Sequence, residues 1–485
     1  MDRDNDFLIA NSSNVDNEVR NYESLSNGRQ NEGQKSKTSP QYLAAIAATL
    51  SAFAAGIVIG WTAPIENAME DGNYNNITID KNQMGWIGSF TNLGALVTCI
   101  PTGFICDIIG RKTTLLLLII PFSIGWSLIL TARNVLMLYF GRFIIGMAVG
   151  ATCVAAPMYT SEIAQKEIRG ALGSYFQLMV TVGVLYSYTF GAFLTPMNYT
   201  IICSLVPLIF ITLFGFQPET PLYYLKVNKF EKAKLALVQL RGTQDVDREL
   251  NEIETTLKES RTSVGFFRAM SKKSSRKAIF ISFALMFFQQ FSGINAIIFY
   301  TGYIFKSSGV SFNENYASIV IGATQVIATF SSSLIVDKLG RKILLITSSL
   351  FMSLSIISLG VYVYLKSHQF IAEYVLAYLN FLPILCLVLF IIAFSIGFGP
   401  IPWMISGEIF SPDIKSMASS MAGSFNWLLA FFITKYYFTI SDTIGEEYTY
   451  IFFGVVTLLA IPFTYFIVPE TKDKTISDIQ DELEN

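Results

Sequence analysis

The residues of this 485-residue chain best suited to chemistry are side-chain amides set inside apolar segments. The stretch FFQQFSGINAIIFY (287–300) holds Gln289, Gln290, Ser292, Asn295 and Tyr300. Gln177, Gln325 and Asn426 stand in three further apolar segments, Asn426 directly before Trp427. An amide presents donors and an acceptor together and carries no charge, which suits the hydroxyl groups of a neutral polyol. Trp403, just after GPIP (399–402), adds a flat apolar face against which a sugar ring could stack. The same amides would also serve as hydrogen-bonded glue between helices, and the residue types alone leave both readings open.

Other chemistries find little support. His368 is the single histidine, and Cys99, Cys106, Cys153, Cys203 and Cys386 all lie in apolar stretches outside any CxxC pair. Buried free thiols are the expectation. With no nucleophile–base pair, metal-ligand cluster or phosphate loop, neither an enzyme nor a cofactor or metal is expected.

The elements that must hold these amides follow from composition. Charged residues make up 14 % of the chain, hydrophobic ones 52 %, and the mean hydropathy is +0.47. Soluble chains carry about 25 % charge, so this one cannot coat a water-facing globule. The 34 Lys+Arg against 36 Asp+Glu give a net charge of −2 and argue against nucleic acid, which demands a basic face. A polytopic membrane protein remains. Apolar runs of about 20 residues, each able to span a bilayer as a helix, recur at 42–64, 85–106, 113–132, 135–157, 173–195, 199–216, 278–305, 316–336, 343–365, 377–404, 416–438 and 447–467.

These twelve spans divide into a bundle over 42–216 and a bundle over 278–467, joined by a polar linker, 217–277. Helical periodicity in 231–240 and 246–257, broken at Arg241-Gly242, predicts short amphipathic helices lying on the membrane surface. Residues 1–41 read as a disordered tail and 468–485 as a second tail. Lys and Arg concentrate in the even-numbered loops and the linker, which places both termini and the linker in the cytosol. The opposite loop, 65–84, holds the sequon Asn76-Ile77-Thr78, a glycosylation site on the side where glycosylation occurs. In the first tail, Asp4, Leu8 and Ile9 match an acidic dileucine pattern for endosomal sorting.

The chain also repeats itself. GFICDIIGRK (103–112) returns as SLIVDKLGRK (333–342), SEIAQKEIRG (161–170) as GEIFSPDIKS (407–416), and PETP (218–221) as PETK (469–472). Three signatures recurring in one order mark a duplicated six-helix unit, the architecture of transporters that rock one half against the other around a midplane site. Asp107, Arg111, Glu162 and Arg169 in the first half, and Asp337, Arg341, Glu408 and Lys415 in the second, are expected to form cytosolic salt-bridge networks. Such networks would hold that side shut and break when it opens. Gly399, Pro400 and Pro402 predict a kink in span 10, a gate on the cytosolic side, and Gly293 with Gly302 one in span 7 on the other.

Taken together, DIIGRK, GRF (141–143), PMYTSEIAQKEIRG (157–170), PETP, QQFSGIN (289–295), GPIPW, GEIF and PETK resemble the sugar porter branch of the major facilitator superfamily, over nearly all of 42–475. FNWLLAFFITK (425–435) is similar to insect facilitated trehalose transporters and animal facilitative glucose transporters. The resemblance implies an all-α major facilitator fold of twelve helices in two pseudo-symmetric bundles, working by alternating access. It further implies that Gln177, Gln289, Gln290, Asn295, Gln325, Trp403 and Asn426 contact the sugar. In proton-coupled members an Asp in span 1 pairs with the GRF arginine. Here Val58 takes that place, opposite Arg142, and PETPLYYL (218–225) lacks the arginine usual in its signature.

No Asp or Glu is expected inside a span, and coupled carriers need an intramembrane carboxylate, so downhill transport of a hexose or trehalose is the leading reading. A proton symporter using an acid near a span edge, such as Glu66, is the alternative, and a transporter-like sugar sensor a third. The short tail and linker leave little room for a signalling domain. The expected setting is the plasma membrane, with a lipid bilayer and a sugar as partners and the monomer as the working unit.

Overall fold

The computed structural model describes residues 37–165, 167–261, 270–308, 314–370, 373–411, 414–474 and 476–484. The sorting pattern at Asp4, Leu8 and Ile9 lies outside the described residues. Among those described, every regular element is a helix. Twelve are long and apolar enough to cross a membrane: Ser39–Glu70, Lys81–Ile109, Arg111–Leu130, Val135–Ile163, Arg169–Phe193, Pro196–Phe214, Lys273–Phe299, Tyr316–Val336, Arg341–Ser367, Leu382–Glu408, Met417–Ile444 and Glu446–Ile467. They are numbered here as spans 1 to 12.

Each observed span overlaps its expected one, but span 1 continues past residue 64 to Glu70. Its two segments, Ser39–Gly60 and Thr62–Glu70, meet at Trp61. Pro64 falls in the first turn of the second segment, where its missing N–H costs nothing, so it does not end the helix. The extension carries Glu66, 2 % exposed, into the span, and the expectation of spans free of internal carboxylates fails there.

Within a half, small residues let helices approach closely. A Cβ on Gly94 of span 2 would stand 2.1 Å from the Phe143 carbonyl oxygen of span 4. With lipid tails as apolar as leucine, such main-chain contact replaces the hydrophobic drive that packs helices in water. The halves meet through span 2 against span 11 and span 5 against span 8.

Spans 7 and 10 are broken. Span 7 stops at Phe291 and restarts at Ile294, and Gly293 between them adopts a left-handed conformation (φ +85°). Phe453 packs against the Gly293 Cα so closely that a Cβ would stand 2.5 Å from its ring. Span 10 runs Leu382–Ile396, unwinds through Gly397–Pro400, and resumes over Ile401–Glu408. Unwound main chain is stable at membrane depth only where its polar groups find partners.

The linker holds helices Pro221–Lys226, Phe230–Arg241 and Asp247–Arg261. Gly242 ends the second with φ +63°. The expected break at Arg241-Gly242 is present, but these helices do not spend their apolar faces on the membrane surface. Leu225, Ala233, Leu237, Val246, Leu250 and Leu257 turn inward into one small core. Arg241, buried, binds Glu249 at 2.6 Å and donates to the Ile163 carbonyl, tying the linker to span 4. The bundle therefore has a linker end and, opposite it, a far end.

Candidate functional site

The breaks in spans 7 and 10 bring four of the sequence-selected amides together. Gln290 donates from Nε2 to Asn426 Oδ1 at 2.9 Å and accepts at Oε1 from Asn295 Nδ2 at 2.6 Å. Asn426 Nδ2 in turn donates to Gln289 Oε1 at 2.6 Å. Gln289 Nε2 then donates to the Phe398 and Gly399 carbonyls at 2.6 and 3.0 Å, the acceptors exposed by the unwound part of span 10. The chain runs Asn295–Gln290–Asn426–Gln289–span 10, neutral throughout and rich in donors and acceptors that can swap partners. Gln289, Gln290 and Asn426 are almost wholly buried. Gln325 of span 8 is buried too, and its Oε1 has no hydrogen-bond partner among the described residues. Gln177 is half-buried outside this network, and Trp403 is 38 % exposed with its ring against Gly423.

Toward the far end lies Arg142, fully buried. Its Nη1 donates to the Val58 carbonyl at 2.9 Å, its Nε to the Ile87 carbonyl at 3.1 Å, and its Nη2 to Thr62 Oγ1 at 2.9 Å. The guanidinium also lies over the Trp61 ring, 5.3 Å from its centroid. Val58 does face Arg142, and it offers main chain where an acidic side chain would offer charge. Near this level cross-half hydrogen bonds join the two bundles: Asn92 to Thr434, and Tyr188 to the Ile298 carbonyl.

At the linker end each half holds its own polar cluster. Arg111 binds Glu162 at 2.9 Å and Asp107 at 3.0 Å, and Lys226 binds Asp107 at 2.8 Å. In the second half Arg341 binds Glu408 at 3.0 Å. The side chain of Asp337 lies outside the described residues. Arg169 and Lys415 do not join as expected: both are exposed, and neither makes an ion pair among the described residues. Arg169 opens span 5 and Lys415 opens the helix of span 11; Lys415 still lies near enough to Glu408 to feel its charge.

Their places are taken by residues that sequence reasoning used only as repeat markers. Thr220 and Thr471 of the two PET motifs donate to Glu162 and Glu408. Glu219 accepts from the Lys112 N–H, and Glu470 from the Arg341 and Lys342 N–H groups, so each PET glutamate caps the span after the DxxGRK loop. Burial pushes the Glu470 carboxyl up, but the main-chain amides of Arg341, Lys472, Lys342 and Thr471 outweigh it and hold it below the usual glutamate range. The recurrence of PET beside the other two motifs was the available signal.

Asn76 is exposed in the far-end turn at φ +57°, next to Tyr74 and Asn75, which bond to the Ile129 and Leu130 carbonyls. The five cysteines are free.

A family model described as "Sugar (and other) transporter" matches residues 31–483. The facilitated trehalose transporter Tret1 of Bombyx mori is 39 % identical over 445 residues, covering 91 % of this chain and 86 % of its own length. The Tret1 of Apis mellifera ligustica is 37 % identical over 443 residues, covering 91 % and 87 %. Among solved structures, the partially occluded inward-open form of the xylose transporter XylE from E. coli aligns with a TM-score of 0.72 at 24 % identity, over 89 % of this chain and 99 % of that one. The proton:xylose symporter XylE bound to 6-bromo-6-deoxy-D-glucose gives 0.70 at 24 % identity, over 91 % and 99 %. At such identity the structural likeness speaks for the fold.

Proposed function

The chain belongs to the family of sugar and other transporters, and from that premise we propose that it carries a neutral sugar down its gradient by alternating access. The substrate is a hexose such as glucose, or the disaccharide trehalose that the Bombyx and Apis relatives are named for. The observation that carries this reading is the uncharged amide chain Asn295–Gln290–Asn426–Gln289 at the two broken helices. Amides already bonded to one another can trade those bonds for sugar hydroxyls at little net cost. Gln177, Gln325 and Trp403 complete the binding set, and the networks of Asp107, Arg111 and Glu162 and of Arg341 and Glu408 stiffen each half at the linker end.

Arg142, held by carbonyls and a hydroxyl, needs no proton-binding partner, which favours uniport. The burial of Glu66 favours a second reading, proton-coupled symport. The protein works as a monomer in the plasma membrane, with both termini and the linker in the cytosol and Asn76 outside.

The test is uptake of labelled glucose and labelled trehalose into proteoliposomes, with and without an inward proton gradient. Uptake that stops at equal concentrations and ignores the gradient is expected. Accumulation above the outside concentration, lost in Glu66→Gln, would replace uniport by symport.

A further inference from the structure

The seam between spans 2 and 11 at the far end contains a feature that neither the sugar site nor the linker-end networks use. Lys435 of span 11 is only 6 % exposed, an ammonium buried between membrane helices. Its Nζ donates to Asn82 Oδ1 of span 2 at 2.6 Å and stands 4.5 Å from the centroid of the Trp86 ring, also of span 2. Tyr436, its own neighbour in sequence, lies under it at 5.5 Å. The backbones touch at this level: a Cβ on Gly85 would stand 2.9 Å from the Lys435 carbonyl oxygen. Span 2 answers with its own lysine, Lys81, which reaches back to Asp442 of span 11 at 3.2 Å and to Tyr303 of the segment after span 7 at 3.1 Å.

Resting on the alternating-access reading, we propose that Lys435 is a charged latch between the halves, making closure of the far end conditional on Asn82 and Trp86. The two partners of Lys435 on span 2 leave when the halves part there, whereas Tyr436 travels with it. In the open state the ammonium meets water. In the closed state it has lost that water, and an amide oxygen and an indole face must replace it. A desolvated cation over a tryptophan is worth far more than an exposed ion pair. The exposed Lys81–Asp442 pair is also weakened by salt, so Lys435 dominates the latch.

The test reads opening directly, without sugar, in lipid nanodiscs where both faces meet the reagent. Thr434→Cys supplies the reporter: Thr434 is buried at this seam and accepts from Asn92 across it. Its reaction with a soluble maleimide is compared with the same protein lacking the substitution. Trp86→Leu is expected to raise the labelling rate about threefold to tenfold, Trp86→Phe to restore most of the protection, and Asn82→Ala to act in the same direction. In a Lys435→Met background, Trp86→Leu should change the rate by less than about twofold, because no buried charge then needs the ring. Equal acceleration with and without Lys435 would reduce the contact to packing and overturn the latch, as would unchanged labelling in Trp86→Leu and Asn82→Ala. Because labelling involves no substrate, its failure is distinguishable from a failure of sugar uptake.

Discussion

Gln290 occupies the middle of the amide chain, donating to Asn426 and accepting from Asn295. Removing it leaves the buried Asn426 amide and the half-buried Asn295 amide each short of a partner, at about 1–3 kcal/mol for the buried group. If the amides bind sugar, Gln290→Ala should lower the uptake rate at limiting sugar about tenfold or more, with membrane insertion and detergent-extracted yield unchanged. Normal uptake with a lowered melting temperature would return the network to a purely structural role. The identity of these residues was legible in the sequence, because an amide in an apolar run is conspicuous. Their partners were not. The acceptors for Gln289 are carbonyls of Phe398 and Gly399, and nothing in a side-chain sequence announces which main-chain groups an unwound helix sets free.

The repeated motifs act at the scale of elements. Glu470 accepts main-chain N–H groups at the start of span 9, and its carboxyl sits below the usual glutamate range. A group with a depressed folded value contributes stability that is complete above the unfolded value, about 4.3. That contribution disappears as the pH falls through the lower folded value. The melting temperature in detergent should therefore fall between about pH 5 and pH 3 partly through this group. Glu470→Gln should be less stable at neutral pH and show a shallower decline over that window; parallel curves for the two proteins would remove Glu470 from the account. The pairing of Arg111 with Glu162 and of Arg341 with Glu408 follows from opposite charges near span ends. That Thr220 and Thr471, rather than Arg169 and Lys415, complete those pairs is a tertiary contact between each PET motif and the end of span 4 or span 10.

Across the whole molecule, the far-end turn that carries Asn76 packs on span 3 through Tyr74 and Asn75 while Asn76 stays exposed. Expression in a glycosylating cell should yield a form that migrates faster after glycosidase treatment, and Asn76→Gln should abolish the shift; a shift that persists in Asn76→Gln would move the modification elsewhere. The number of membrane helices, their division around a polar linker and the duplication were all determined by the sequence, because burial in lipid imposes a composition readable over about 20 residues at a time. Only the tertiary structure decided that span 1 reaches Glu70 and buries Glu66, and that the linker helices pack on one another. It alone joined four amides from spans 7 and 11 to the opened turn of span 10 and set Lys435 against Trp86. Lipid compatibility is a sum over local segments, whereas each of these contacts depends on two distant segments meeting at one depth and one rotation, which no local pattern encodes.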